Sequence, residues 1–270
     1  MSNQRLTHAI VCRIPASIKS KCDQIDVEEA KRQHEKFVST LRELELDVIE
    51  MPADESLPEC AFVEDTAVVC NGIALMAKPH DSLRQKEVEI MKAVIKKELD
   101  IPIIEADDSN AKLEGGDVLF TGREFFVGLS KWTNEAGAQA VASTFPEYPC
   151  VPIKVTGDKH LKYYVSVAGP ELLCVSKSKD SQEVLKRIER EASFAYQTIT
   201  LSEEEASNIL YINGSLVSRS EEEIPVSDQI LKEKIDIPRK SLNISELGKM
   251  STGITSCCIL LRRSRYFRGV

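Results

Sequence analysis

The chain has 270 residues, of which 42% are hydrophobic and 29% charged, and its formal net charge is −8. That length suffices to bury a full core, and the acidic balance argues against a general nucleic-acid-binding protein, which would present a basic face. The sequence has no apolar run of about 18 residues, so we expect no membrane-spanning helix. No composition shift or low-complexity linker marks a boundary, and we expect one domain over residues 1–270.

Five segments with the apolar spacing of a helix follow helix-start signals along the chain. The first is a capping box formed by Asp26 and Glu29. The other four are predicted to begin at Ser82, Thr133, Asp180 and Ser227. Between the helices lie short strand candidates rich in Val, Ile and aromatic residues, at 46–51, 61–69, 73–77, 118–121, 125–129 and 172–176.

The helix starts recur at intervals of roughly 50 residues, which is typical of repeat architectures. Four junctions also place a basic residue after an apolar strand, namely Lys78, Lys131, Lys177 and Arg219. Any α/β protein alternates strands and helices, but four similar junctions at near-equal spacing favour a repeat. A ring of such units would leave a central channel, where polar residues from distant units converge to form a site.

Eight cysteines and four histidines are scattered along the chain. The first residues lack the apolar core of a secretory signal, so we expect a cytoplasmic protein with reduced cysteines. No cysteine pair has the C-x2-C spacing of a zinc site, and the Cys257-Cys258 doublet would point to opposite faces of a strand. The basic run from Arg262 to Arg268 is interpreted as a solvated chain end.

Two segments place carboxylates within apolar runs. Glu64 and Asp65 lie inside the 61–69 strand candidate, where they either mark an exposed strand end or bind a cation such as a guanidinium. Glu114 and Asp117 flank a pair of glycines at a strand entry. By itself this second segment indicates a turn, because it is too short for a phosphate-binding loop.

Two further segments carry residues suited to proton transfer and nucleophilic attack. His160 precedes a strand, a place where a histidine is usually structural but can also move a proton near neutral pH. A turn rich in Gly, Ser and Thr delivers Cys257 and Cys258 to the head of an apolar strand. Buried cysteine is commonly a small hydrophobe, yet one at a strand mouth near a histidine can act as a thiolate. The joint occurrence of the four segments indicates a catalytic site.

The segments 52–65, 113–130, 160–162 and 167–170, together with Cys257-Cys258, resemble dimethylarginine dimethylaminohydrolase over nearly the whole chain. The resemblance implies a five-fold pseudosymmetric α/β propeller of ββαβ-type repeats around a central channel, the pentein fold. It implies hydrolysis of asymmetric dimethylarginine and monomethylarginine to citrulline and dimethylamine or methylamine, with a role in nitric oxide regulation. No cofactor and no required metal is implied, although inhibitory zinc and redox or nitrosative modification at Cys257 are.

The resemblance assigns a role to each site residue. Cys257 becomes the nucleophile, His160 the acid/base and Glu114 its supporting carboxylate, as catalytic residues. The substrate-binding residues become Glu64 and Asp65 for the guanidinium, Arg84 for the substrate carboxylate, and Glu59, Asp23, Ser251 and Trp132 around the amino-acid end. The expected partner is a small guanidino compound, with no nucleic acid and no membrane, and the expected assembly is a monomer or weak homodimer.

Two positions depart from the family pattern. Trp132 stands where the family has a second arginine for the substrate carboxylate, and Glu59 stands where it has an aspartate for the α-amino group. Lys131 is expected to point elsewhere if the strand before it continues. These departures leave two alternatives beside an active dimethylarginine hydrolase. One is a hydrolase of another guanidino compound, and the other is a non-catalytic binding or regulatory relative.

Overall fold

The computed structural model describes residues 5–263. Within that range the chain forms five three-stranded sheets arranged as the blades of a ring, which confirms the predicted propeller. In chain order the strands are β1 His8–Cys12, β2 Asp47–Met51, β3 Ala67–Cys70, β4 Ile73–Met76, β5 Ile103–Ile104, β6 Val118–Phe120, β7 Phe125–Leu129, β8 Cys150–Lys154, β9 Val165–Gly169, β10 Leu172–Ser176, β11 Gln197–Leu201, β12 Leu210–Ile212, β13 Ser215–Arg219, β14 Arg239–Leu242 and β15 Ile259–Leu261.

Every blade has the same topology: an inner strand pairs antiparallel with a middle strand, which pairs parallel with an outer strand. A helix connects each middle strand to its outer strand, as a parallel pairing requires. These helices are α1 Val27–Glu43, α2 Ser82–Val94, α3 Glu135–Thr144, α5 Lys179–Glu191 and α6 Pro225–Lys234, and two single turns, α4 Leu161–Tyr164 and α7 Ser245–Gly248, lie between blades.

The ring is closed by a blade built from both ends of the described chain. In that blade β15 is the inner strand and pairs antiparallel with β1, with His8 opposite Leu261. On its other side β1 pairs parallel with β2, with His8 opposite Asp47. Backbone hydrogen bonds therefore join the first strand of the chain to the last.

The predicted helix starts are correct to within two residues, and side-chain capping explains part of the difference. Asp26 caps α1 as expected, by accepting from the backbone N–H groups of Glu28 and Glu29. Helix α3 begins later than predicted, at Glu135, because the hydroxyl of Thr133 accepts from the N–H of Glu114 and leaves the cap to Asn134.

The predicted start at Ser82 is confirmed, with Asp81 as its cap, and the last two helices begin one and two residues earlier than predicted, at Lys179 and Pro225. The strand predicted at 61–69 is wrong in its first half, because residues Val63–Thr66 form a 3₁₀ turn and the strand starts at Ala67. That turn contains Glu64 and Asp65, the two carboxylates that interrupt the apolar run in the sequence.

Apolar side chains pack in five clusters between the sheets and their helices. The cluster around α1 joins Phe37 and Leu41 to Val11 in one blade and Val217 in the next, so cores continue from blade to blade. The inner strands surround a channel with a volume of about 720 Å³. In the range 5–263 no helix has the length and apolarity needed to cross a bilayer. Arg262 and Arg263 are exposed, and the rest of the basic run lies outside the described residues.

Candidate functional site

A short helical turn precedes the inner strand of each blade. The five turns are Val63–Thr66, Gly115–Asp117, Leu161–Tyr164, Glu204–Ser207 and Thr255–Cys257. Four of them contain or directly follow a residue that the sequence marked as catalytic or guanidinium-binding. Because the turns occupy equivalent positions in the ring, they bring side chains separated by up to about 190 residues to one end of the channel.

The carboxylates of Glu64 and Asp65 are both buried, and each has a cationic partner. Glu64 accepts from Lys162 Nζ at 2.7 Å and from the hydroxyl of Thr255 at 2.9 Å. Burial raises the pKa of Glu64, against the opposing charge of Lys162. Asp65 accepts from Arg84 Nη2 at 2.9 Å. The sequence therefore places two hydrogen-bonded carboxylates here, a pattern that suits binding of a cation.

His160 lies beside two of the site's carboxylates. Its Nε2 is 2.8 Å from Glu114 Oε2 and 3.8 Å from Asp65 Oδ1. Burial alone would lower the pKa of His160, but the charge of Asp65 and the hydrogen bond to Glu114 outweigh it and raise the pKa to about 9. The imidazole is therefore mainly protonated at neutral pH, ready to donate a proton.

The same three side chains, Asp65, Glu114 and His160, are close enough to ligate one cation. A metal ligand must be a neutral imidazole, however, and the raised pKa of His160 favours its charged form. The donor set therefore fits proton transfer better than it fits a resident metal. The zinc expected as an inhibitor at Cys257 stays a prediction.

Trp132 covers the imidazole of His160. The two rings stack with their centroids 4.1 Å apart and their planes at 20°. The Nζ of Lys131 lies 4.1 Å from the centroid of the Trp132 ring. The expectation that Lys131 points elsewhere assumed that the strand before it continues, and this condition is not met, because β7 ends at Leu129.

Cys257 ends the turn that precedes β15 and is 2% exposed. Its thiol donates to the carbonyl of Gly253, with 3.9 Å between Sγ and oxygen. Burial and the negative charge of Glu64 raise the pKa of Cys257 to about 12, against a lowering by Arg219. The side chain of Cys257 is therefore a thiol at rest. Cys258 lines the channel instead, and burial raises its pKa as well.

Arg84, expected to bind a substrate carboxylate, is buried in α2 with its terminal nitrogens bonded to the protein. They donate to the carbonyls of Glu59 at 2.9 Å and Phe62 at 3.0 Å, in addition to Asp65 and Glu87. A substrate carboxylate could bind there only by replacing one of these acceptors. The role assigned to Arg84 stays a prediction, and the structure gives it a different set of partners.

The other residues predicted at the amino-acid end of the substrate lie nearer the surface. Glu59 forms an ion pair with Lys21 at 2.8 Å. Asp23 and Ser251 are both exposed, and Ser251 has a φ of 57°. Their predicted contacts with the amino-acid end of a substrate stay predictions, and the structure brings neither side chain to His160 or Cys257 through a hydrogen bond among the described residues.

Two buried polar residues that the sequence did not mark as site residues hold the site together. Asp117 accepts from the N–H of Leu161 at 2.8 Å and the hydroxyl of Ser130 at 2.6 Å, and so fixes the backbone next to His160. Asn208 donates to the hydroxyl of Thr255 at 3.0 Å and accepts from its N–H at 3.1 Å. Asp117 belongs to the glycine-containing segment 114–117, whereas no motif in the sequence marks Asn208.

Comparison with known proteins gives a consistent family. The family model described as N,N dimethylarginine dimethylhydrolase, eukaryotic, matches residues 13–259. A protein named putative hydrolase DDAH2 is 33% identical to this chain over 271 residues in Bos taurus, covering 95% of each sequence. The relative of the same name in Homo sapiens matches at the same identity and coverage.

Solved structures share the fold. The dimethylarginine dimethylaminohydrolase of Pseudomonas aeruginosa, in complex with citrulline, matches with a TM-score of 0.80 and 19% identity, covering 95% of this chain and all of that one. The N-terminal domain of ArgZ, a cyanobacterial arginine dihydrolase bound to its product, matches with a TM-score of 0.77 and 15% identity, over 95% and 97% of the two chains. The chain thus has the pentein fold and belongs to the dimethylarginine dimethylaminohydrolase family, whose members hydrolyse carbon–nitrogen bonds of amidines.

Proposed function

We propose that the chain hydrolyses N-methylated arginines to citrulline and dimethylamine or methylamine through a covalent adduct on Cys257. The observation that carries this proposal is the 2.8 Å contact between His160 and Glu114, with Asp65 3.8 Å from the same ring nitrogen. It provides a protonated acid next to carboxylates that suit a guanidinium. In a cytoplasm that keeps thiols reduced, the reaction would remove methylarginines and so act on nitric oxide production.

Binding of the cationic substrate would prepare the nucleophile. Glu64 disfavours the thiolate of Cys257, and a guanidinium bound by Glu64 and Asp65 would offset that negative charge. The thiol then loses its proton to water and the thiolate attacks the guanidinium carbon. The carboxylates also orient the guanidinium plane for this attack.

His160 would carry the proton in both halves of the reaction. Its imidazolium donates a proton to the departing methylated amine as the carbon–nitrogen bond breaks, leaving a thiouronium bonded to Cys257. The neutral imidazole then accepts a proton from the water that attacks the same carbon. Collapse of that adduct breaks the carbon–sulfur bond and releases citrulline. Glu114 keeps His160 charged between turnovers by its hydrogen bond.

A second candidate is hydrolysis of another guanidino compound, and the surroundings of Trp132 favour it. Trp132 places an apolar ring against His160, while Arg84 is already bonded to Asp65 and Glu87. A substrate that lacks an α-carboxylate would lose nothing from these arrangements. The catalytic steps would be the same for either substrate, because they involve only the guanidinium end.

Product analysis tests the proposal. The wild-type protein and Cys257→Ser are incubated with asymmetric dimethylarginine, monomethylarginine and a panel of other guanidino compounds. Citrulline and the matching amine are then quantified. We expect turnover by the wild type and none by Cys257→Ser, while Cys150→Ser in the outer strand β8 retains wild-type activity.

Labelling with 2-chloroacetamidine distinguishes an enzyme from a non-catalytic relative, and it does not require that the substrate be known. The reagent carries an amidinium that the carboxylates can bind, so Cys257 should react at neutral pH far faster than the half-buried Cys150, as read by peptide mass spectrometry. Equal labelling of the two cysteines, together with no product from any guanidino compound, would reject catalysis and leave a binding role.

A further inference from the structure

The basic residues that follow the middle strands do not share one environment. Lys131 and Lys177 are exposed and Lys78 is partly exposed, as expected for cations at strand ends. Arg219, the last residue of β13, is instead 5% exposed. A buried arginine at a strand end, where three of the other blades place a more exposed lysine, needs a local reason.

Arg219 is packed between the start of the next helix and the loop before Cys257. Its Nη1 is 2.8 Å from Glu223 Oε1, and its Nη2 donates to the carbonyl of Thr252 at 3.0 Å. A side-chain carbon added at Gly248 would lie 2.8 Å from Nη1, so this loop has a glycine where the guanidinium passes. Nε is buried without a hydrogen-bond partner among the described residues.

The carbonyl that Arg219 fixes, that of Thr252, lies three residues before the turn Thr255–Cys257 that carries the proposed nucleophile. Gly253, the next residue, accepts from the N–H of Ser256 at 3.2 Å and from the thiol of Cys257 at 3.9 Å. The N–H of Cys257 donates to Ile254 at 3.3 Å. A shift at Thr252 would therefore be passed directly to the thiol.

Arg219 also acts on Cys257 through its charge. It is the group that lowers the pKa of the Cys257 thiol, whereas burial and Glu64 raise it. Its ion-pair partner Glu223 also accepts hydrogen bonds from the N–H groups of Ser220 and Ile244.

We infer that Arg219 is a positioning residue for the nucleophile: its guanidinium fixes the carbonyl of Thr252, and its positive charge favours the thiolate of Cys257. The inference rests on the proposed role of Cys257. Arg219 would thus have a role that Lys78, Lys131 and Lys177, the basic residues at the other strand ends, do not share. A purely structural ion pair with Glu223 is the alternative that an experiment must separate.

The test compares three proteins with the wild type. Arg219→Met combined with Glu223→Gln removes both charges and leaves no buried carboxylate unpaired. Arg219→Lys keeps the positive charge but lacks the rigid planar fork of donors that bonds Glu223 and Thr252. The matched control is Arg239→Met combined with Asp228→Asn, which breaks a 2.7 Å ion pair at the other end of the same blade. There Arg239 pairs with Leu216, three residues along β13 from Arg219.

The readout is the rate at which iodoacetamide labels Cys257 between pH 7.5 and 9.5, resolved by peptide mass spectrometry. Loss of a nearby positive charge displaces a thiol titration by about one pH unit, so the doubly neutral variant should label about tenfold more slowly at each pH. The lysine variant should stay close to the wild-type labelling rate and lose mainly kcat, with little change in KM. The control should match the wild type in both.

Two results would overturn the inference. One is a doubly neutral variant that labels at the wild-type rate, and the other is a lysine variant that labels as slowly as the neutral one. If the doubly neutral variant does not fold, kcat and labelling of the lysine variant decide, and wild-type values in both reject a positioning role. Because labelling is measured without substrate, a failure of the proposed activity is seen separately, as absence of turnover by the wild type.

Discussion

Trp132 and His160 form a stacked pair of rings at the candidate site. The indole lies against the imidazole with centroids 4.1 Å apart, and Lys131 lies against the indole in turn. An aromatic face attracts a cation, so the stack is compatible with the charged state of His160. The same ring offers no donor that could bind a carboxylate in bidentate fashion.

Replacing Trp132 by arginine should therefore improve binding of an amino-acid substrate. A hydrogen bond between charged groups contributes about 1.5–3 kcal/mol, so we expect the KM for dimethylarginine to fall about tenfold or more in Trp132→Arg. N,N-dimethylguanidine, which has no carboxylate, is the matched control and should gain nothing. An unchanged KM for dimethylarginine would refute the carboxylate argument and favour the second candidate substrate class.

The raised pKa of His160 makes stability depend on pH. Its pKa rises from 6.5 to about 9 on folding, so the charged imidazole stabilises the native state fully below pH 6.5, and this stabilisation is lost as pH rises through 9. Comparing wild type with His160→Gln in urea, we expect the difference in unfolding free energy to change by about 2 kcal/mol between pH 6.5 and 8.5.

His34 provides the control for that titration. It is buried, and burial lowers its pKa to about 4, so it stays neutral throughout the same range. The difference between wild type and His34→Gln should therefore not vary with pH. A constant difference for His160→Gln as well would mean that His160 is not held in its charged form.

The short turns before the inner strands are the elements that build the site. Glycines allow these turns to approach one another closely, as Gly115 does. A side-chain carbon added at Gly115 would lie 1.9 Å from the carbonyl oxygen of Glu64, which is backbone and cannot rotate away. The turn that carries Asp117 and the turn that carries Asp65 are also joined by a bond from the N–H of Gly116 to Asp65 at 2.9 Å.

Gly115→Ala should accordingly disrupt both turns. Overpacking a tight site typically costs about 1–3 kcal/mol, and we expect a loss of that size in the free energy of unfolding, with a loss of activity. Gly169→Ala is the matched control, because its added carbon would meet only Leu172 at 3.9 Å. Equal stability of the two variants in a urea titration would contradict the close approach seen at Gly115.

At the scale of the whole molecule, the five-unit ring was predictable because it repeats the same signals. Helix caps and strand-end basic residues recur along the chain, and each blade has the same strand order. The residues of the candidate site were marked in the sequence only where polar residues interrupt apolar runs, as at Glu64 and Cys257. The contacts of Asn208 with Thr255 and of Arg219 with Thr252 could not be predicted, because each spans more than 30 positions and no sequence signal pairs the two residues.

Ring closure predicts cooperative unfolding. The single tryptophan, Trp132, reports on the blade of β6, β7 and β8, whereas circular dichroism reports on all five blades. If residues 1–270 form one domain as proposed, the two probes should show coincident transitions in urea. Ile259→Ala, in the closing blade that does not adjoin the Trp132 blade, should destabilise both by about 2–5 kcal/mol. A tryptophan transition that Ile259→Ala leaves unmoved would reveal independent blades.

The equivalence of the five turns also bears on how such a protein can change its chemistry. The pair Glu64 and Asp65, then Glu114, His160 and Cys257, lie in or directly before four separate turns of the same kind. A substitution that contacts only one of these positions, as Trp132 contacts His160, can therefore alter the ligand preference while the side chains at the other turns keep their places. Reprogramming the specificity of this scaffold becomes a modular task, in which one blade is redesigned at a time against four unchanged neighbours.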